Sequence, residues 1–199
     1  MEKHFELTDK FIINAFGVKL FQIKCTRDIK WAKAGDFGGW IESENNLSGN
    51  AWVSGDAKVS GDAWVSGDAW VSGNAKVSGN AWVYGNAKVY GDAKVSGDAK
   101  VSGDAEVSGN AWVYGNAWVS GNAEVYGEEK HCGFDGFGSC NRHTHAYMTK
   151  SGEVEITCGY FRGSIKEFEE QVHKTHSGTI YEKQYMAIVN VIKIKFGLE

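Results

Sequence analysis

Proline is absent from this chain, and only four cysteines occur among its 199 residues. Without proline, every reversal of direction falls to Gly, Asn and Asp. Cys25, Cys132, Cys140 and Cys158 are irregularly spaced and do not make the disulfide framework of a small secreted module. No apolar run approaches the ~18 residues of a membrane span, so no membrane partner is expected. No cationic start leads into an apolar signal core, and the expected location is cytoplasmic, in a host cell. Excess positive charge is also lacking: 21 basic residues stand against 25 acidic ones, a net charge of −4. Residues 1–47 balance, residues 48–127 carry −3 and residues 128–199 carry −1. No segment is basic enough to make duplex nucleic acid the expected partner. Paired carboxylates, a nucleophile elbow and a phosphate-binding glycine loop are missing as well.

What the chain has is a repeat. From Ser48 to Tyr126 it runs in hexads, Ser-Gly-Asn-Ala-Trp-Val followed by Ser-Gly-Asp-Ala-Lys-Val and so on. Val returns every six residues from Val53 to Val125, with Ala two positions before it. A fixed period decides architecture before any other pattern. Two apolar residues two apart share one face of a strand, and the residue between them points outward. The Gly-Asn or Gly-Asp pair turns the corner. One strand and one corner per hexad describe a β-helix. Three hexads per coil make equivalent positions recur every eighteen residues, with coils about 4.8 Å apart. Each inward Val contributes about 1.5–3 kcal/mol before entropy is counted.

Inward Val with small Ala two before it, over residues 41–127, resembles the left-handed parallel β-helix of hexapeptide-repeat proteins. The resemblance supplies the left hand, since the general crossover rule favours the right. Ile41 and Leu47 already keep the six-residue beat, so the first coil begins near Ile41. The expected class is mainly β: an N-terminal β cap over 1–40, a solenoid over 41–127 and an α+β module over 128–199. Residues 35–48, Gly-Asp-Phe-Gly-Gly-Trp-Ile-Glu-Ser-Glu-Asn-Asn-Leu-Ser, resemble the entry segment of hexapeptide-repeat proteins of bacteriophages and prophages.

In the cap, Phe5–Leu7, Phe11–Ala15 and Val18–Lys24 read as short strands with a turn over 14–17. After Gly127 the repeat stops, and residues 128–145 read as a Gly-, Cys- and His-rich loop. Thr144–Thr149 and Glu153–Cys158 read as a hairpin about Lys150, Ser151 and Gly152. Ser164 and Glu167 form a capping box that starts a helix running to about His173. Tyr181, Tyr185, Ile188, Val189, Ile192 and Phe196 share one helical face, with the β-branched run 189–194 arguing for a strand instead. This ββαα module is similar to a tail unit recurring in phage proteins. The matching pieces are Gly138, Ser139, Asn141, Arg142 and Thr144, the run 158–163, Phe168, and Lys174 to His176. Cys140 and His143 depart from that pattern.

The outward positions form three ladders. One holds Trp52, Trp70, Lys88, Glu106 and Glu124; the second Lys58, Lys76, Lys94 and Trp112; the third Trp64, Trp82, Lys100 and Trp118, with Tyr84 beside it. Contiguous outward Trp marks an interface. Two readings stand: parallel solenoids packing Trp faces into a homo-oligomer, a trimer before a dimer, or a site that stacks a nucleotide-like ligand. Lys58, Lys76 and Lys94 read as an anion-binding column or as a solvated ridge balanced by Asp56 and Asp92.

Hexapeptide-repeat proteins are often acyltransferases that bind acyl-CoA and use a His base. All the histidines here, His4, His131, His143, His145, His173 and His176, lie outside residues 48–127. General-base work needs a His within hydrogen-bond reach of the acceptor, so no catalytic residue and no cofactor is assigned. Cys132, Cys140, His143 and His145 are the candidate metal ligands, although the spacing of Cys132 and Cys140 is not that of a tight zinc pair. The expected function is a non-catalytic, oligomeric binding solenoid of phage or prophage type. It would be an accessory protein that binds and inhibits a host defence component or sequesters a nucleotide-like ligand. An acyltransferase and a virion spacer are the alternatives.

Overall fold

The computed structural model describes residues 3–127, 130–149 and 151–198. The chain is mainly β. Strand β1 (Phe5–Ile13) turns at residues 14–17 into β2 (Lys19–Cys25), and β3 (Phe37–Ile41) follows. Thirteen short strands, β4 (Trp52–Val53) to β16 (Glu124–Tyr126), then occur one per hexad. They stack in parallel with the predicted eighteen-residue register: Val53 pairs with Val71, Val59 with Val77, and Val65 with Val83. Ile41 pairs with Val59 and Leu47 bridges Val65, which puts both on the stacked rungs. One face stacks five strands, which makes a solenoid of about five coils.

The backbone bonds explain the stack. The Trp52 amide donates to the Ala69 carbonyl at 3.0 Å, and the Lys88 amide to Ala105 at 2.9 Å. Each rung therefore satisfies its polar groups on the next coil. The Ala and Val columns from Ala51 to Val125 are sealed from solvent. Glycine at each corner takes positive φ, and the Asn or Asp after it does not. Asn and Asp thus do other work than the sequence reading gave them. Asn74, Asn80 and Asn86 donate to Asp92, Asp98 and Asp104 one coil on, at 2.9–3.0 Å. Down every column the two residues alternate, as in Asp62, Asn80, Asp98 and Asn116. Among the described corner residues no two carboxylates are stacked directly.

Both ends of the stack are covered. At the N-terminal end β1 and β2 extend one face of the solenoid as antiparallel strands through β3. The two segments read as separate strands, Phe5–Leu7 and Phe11–Ala15, are one strand with an irregularity between Leu7 and Phe11, and it ends at Ile13. The second end carries a four-stranded antiparallel sheet: β17 (His131–Phe137), β18 (Arg142–Met148), β19 (Val154–Cys158) and β20 (Phe161–Ser164). The predicted hairpin is β18 with β19; Lys150 at its turn lies outside the described residues. The supposed loop before it is β17 and the start of β18, so the module is ββββαα and not ββαα.

Helix α1 (Ile165–His176) begins at the predicted capping box, the Ser164 hydroxyl accepting from the Glu167 amide, and runs three residues past the expected His173. Helix α2 (Ile180–Phe196) settles the competition over 189–194 in favour of helix. Its Tyr185, Ile188, Val189 and Ile192 face Phe168 and Val172 of α1 and the sheet. Among the described residues no helix is long and apolar enough to cross a membrane.

Candidate functional site

An outward ring on a flat β-face meets its neighbours one coil away. Trp64 pairs in register with Trp82, Trp82 with Lys100, and Lys100 with Trp118. The rings remain open to solvent: Trp64 is 38% exposed, Trp82 42% and Trp118 37%. They are nevertheless held in place. The Trp64 indole N–H donates to the Ser48 hydroxyl at 2.9 Å and that of Trp118 to Ser102 at 3.2 Å, each sixteen residues back. Trp64 and Trp82 meet edge to face, with centroids 5.6 Å apart and planes at 84°. The Lys100 ammonium lies 5.1 Å from the Trp82 ring centre, a cation–π distance. Tyr84 is half-buried beside this row.

The second face is cationic. Lys58, Lys76 and Lys94 stand in register on successive coils, and Lys94 reaches over the Trp112 ring at 5.5 Å. Like charges in adjacent rungs repel. The balancing acids of the sequence reading do not arrive: among the described residues Asp56 and Asp92 make no ion pair with these lysines, and Asp92 instead accepts from Asn74.

The first face does not hold the exposed row that the sequence reading gave it. Trp52 is only 2% exposed and belongs to the core. His4 packs beside it and is tied at 2.8 Å to the Ala51 carbonyl. Trp70 is half-covered by Trp31, whose ring stacks on it at 5.2 Å and 7° and whose N–H donates to the Asp68 carbonyl at 2.7 Å. Neither ring is open for an assembly face. The cause is the N-terminal segment, which folds back across this side and leaves no periodic trace.

The four candidate metal ligands are not brought together. Successive residues of a strand face opposite ways. His143 and His145 look toward the last coil, Cys132 packs with the helical core on the opposite side, and Cys140 is exposed at a separate cavity. His143 is engaged by Asp135 at 2.6 Å, and His145 by His131 at 3.2 Å. Burial, then the nearby His131 and His143, hold His145 well below its ordinary pKa. Among the described residues no group of three or more His, Cys, Asp or Glu is placed to share a metal ion. The same sheet is fixed to the solenoid by polar contacts: Thr157 donates to the Trp118 carbonyl at 3.2 Å, and Arg162 bonds both Glu155 and Ser120. None of these anchors was legible as a site.

A search of curated proteins finds no match to the chain. The model of the family described as YdcK Beta solenoid repeat matches residues 105–121, nearly one full coil. That coil carries the inward Ala105, Val107, Ala111, Val113, Ala117 and Val119. The match and the five stacked coils agree, and the chain is a β-solenoid repeat protein.

Proposed function

We propose that this solenoid is a non-catalytic binding protein that assembles as a trimer through the face carrying Trp64, Trp82 and Trp118. The observation that carries the reading is a row of solvent-exposed indoles held in place on rigid strands. Ordering such side chains in advance lowers the entropy cost of association. Each ring can bury on the order of 150–250 Å². The edge-to-face meeting of Trp64 with Trp82 leaves no parallel-walled slot, which favours a protein contact over a base held between rings. Both ends of the stack are covered, so association is lateral. An isologous dimer would set Trp on Trp and leave the lysine column as it is. A cyclic trimer instead sets the Trp face of one subunit against another face of the next, and the column of Lys58, Lys76 and Lys94 is the face that complements indole rings.

The biological setting rests on resemblance, through residues 35–48 and the C-terminal pieces. In that setting the protein is a phage or prophage accessory factor, cytoplasmic in the host, that binds and inhibits a host defence component. Sedimentation velocity over a concentration series tests the assembly. A trimer should dominate at micromolar protein, and a monomer at every concentration would contradict the reading.

A further inference from the structure

A second concave site lies in the C-terminal module, away from the Trp face. Helix α1, the start of β18 and the β19–β20 turn line a half-open cavity of about 470 Å³. That volume lies in the range of small-molecule sites. Its floor is aromatic: Phe161 and Phe168 meet at 5.1 Å, and Phe168 meets Tyr185 edge-on at 5.6 Å. Tyr160 stands at the rim, 95% exposed.

Two polar side chains at this cavity, Arg142 and His176, make no hydrogen bond among the described residues. Arg142 lies along Gly159, where an added Cβ would come within 2.8 Å of a guanidinium nitrogen. Among the described residues its guanidinium makes no hydrogen bond or ion pair. His176 rests on the Tyr185 ring at 5.6 Å, and its ring nitrogens make no hydrogen bond among the described residues. Tyr185 is 5% exposed. Its hydroxyl is in a weak hydrogen bond with the Cys158 thiol at 3.9 Å. Burial and the Cys158 thiol raise the phenol's pKa. A guanidinium and an imidazole without hydrogen-bond partners among the described residues thus line a cavity with an aromatic floor. An anion with a flat apolar body suits that combination.

We propose that this cavity binds a small planar organic anion, with its carboxylate or phosphate head on Arg142 and its body over Phe161 and Phe168. Gly159 matters to this site because any side chain there would displace Arg142. Ser139 and Thr175 also line the wall, the Thr175 hydroxyl donating to the Gln171 carbonyl at 2.8 Å and the Ser139 hydroxyl lying 3.7 Å from the Cys140 sulfur. The proposal is independent of the assembly face and holds whether or not the chain is a trimer.

The probe is 1-anilinonaphthalene-8-sulfonate, an aromatic anion, with uncharged N-phenyl-1-naphthylamine as its control. Fluorescence titration of the full chain should show one saturable site per chain for the anion. Arg142→Gln should weaken that binding about tenfold or more and leave the neutral probe within about twofold. Arg142 is exposed and makes no hydrogen bond or ion pair among the described residues, so the variant should fold; circular dichroism checks this. Tyr160→Ser, at a rim residue with nothing to unfold, should weaken both probes. Saturating anion should also slow alkylation of the exposed Cys140 by iodoacetamide, read by mass spectrometry. Unchanged anion affinity in Arg142→Gln, or Cys140 alkylation unaffected by bound probe, would overturn the assignment.

Discussion

At the scale of single residues, the corner columns show how a repeat tolerates its own symmetry. An eighteen-residue period would stack any charge on itself, coil after coil. Alternating Asn with Asp avoids this and turns each Asn into a donor to the next Asp. Asn80→Asp would place three carboxylates in one column, at 62, 80 and 98, and remove the 2.9 Å bond from Asn80 to Asp98. The expected loss is about 1 kcal/mol at neutral pH. It is measured as the shift in urea midpoint against wild type. The histidines make a second residue-scale prediction. Burial is the main cause of the lowered pKa of both His145 and His4, whose ordinary value is 6.5. Below that value the unfolded chain binds protons that the folded chain refuses, so stability falls with falling pH. The loss should begin near pH 6.5, above the range where carboxylates titrate. His145→Gln should flatten the slope of urea midpoint against pH between about 4.5 and 6.5; an unchanged slope would show that His145 is not responsible.

At the scale of elements, legibility followed the locality of the cause. Val and Ala at fixed spacing declared the strands, their faces and their register, because the information repeats within each hexad. The capping box at Ser164 and the one-faced pattern of Tyr185, Ile188 and Ile192 declared the two helices for the same reason. Strand β17 was hidden because Gly133 and Gly136 break its alternation and its partner lies across a turn. Trp52 looked outward by period, and is buried by His4, which lies far from it in sequence. The aromatic cavity drew on four separated segments, and only its dispersed pieces were visible. The corner glycines allow a direct test at this scale. Gly103 sits at φ +68°, and an added Cβ would come 2.9 Å from the Gly121 amide nitrogen on the next coil. Gly17 has φ +79° and open space around it. Gly17→Ala should cost about 1–2 kcal/mol from conformation alone. Gly103→Ala should cost at least about 2 kcal/mol more, because backbone must move apart. Thermal or urea unfolding of the two variants separates the terms, and equal losses would mean that the coils can yield locally.

At the scale of the whole molecule, the distribution of covered and open surface bears on the proposed assembly. Its ends are occupied by β1–β2 and by the C-terminal sheet, and its first face is partly covered by Trp31 and His4. Two long faces remain, one aromatic and one cationic. In the proposed assembly their chemistry would be complementary between copies and repulsive or redundant when each meets its own kind, which is the physical reason for proposing a ring over a back-to-back pair. The most direct measurement is the native mass of Trp64→Ser with Trp82→Ser, taken alongside its far-ultraviolet circular dichroism. Both rings are surface groups, so the β signal should be retained while the mass falls from trimer to monomer. An unchanged oligomer mass with an intact β signal would contradict the assignment of this face to assembly.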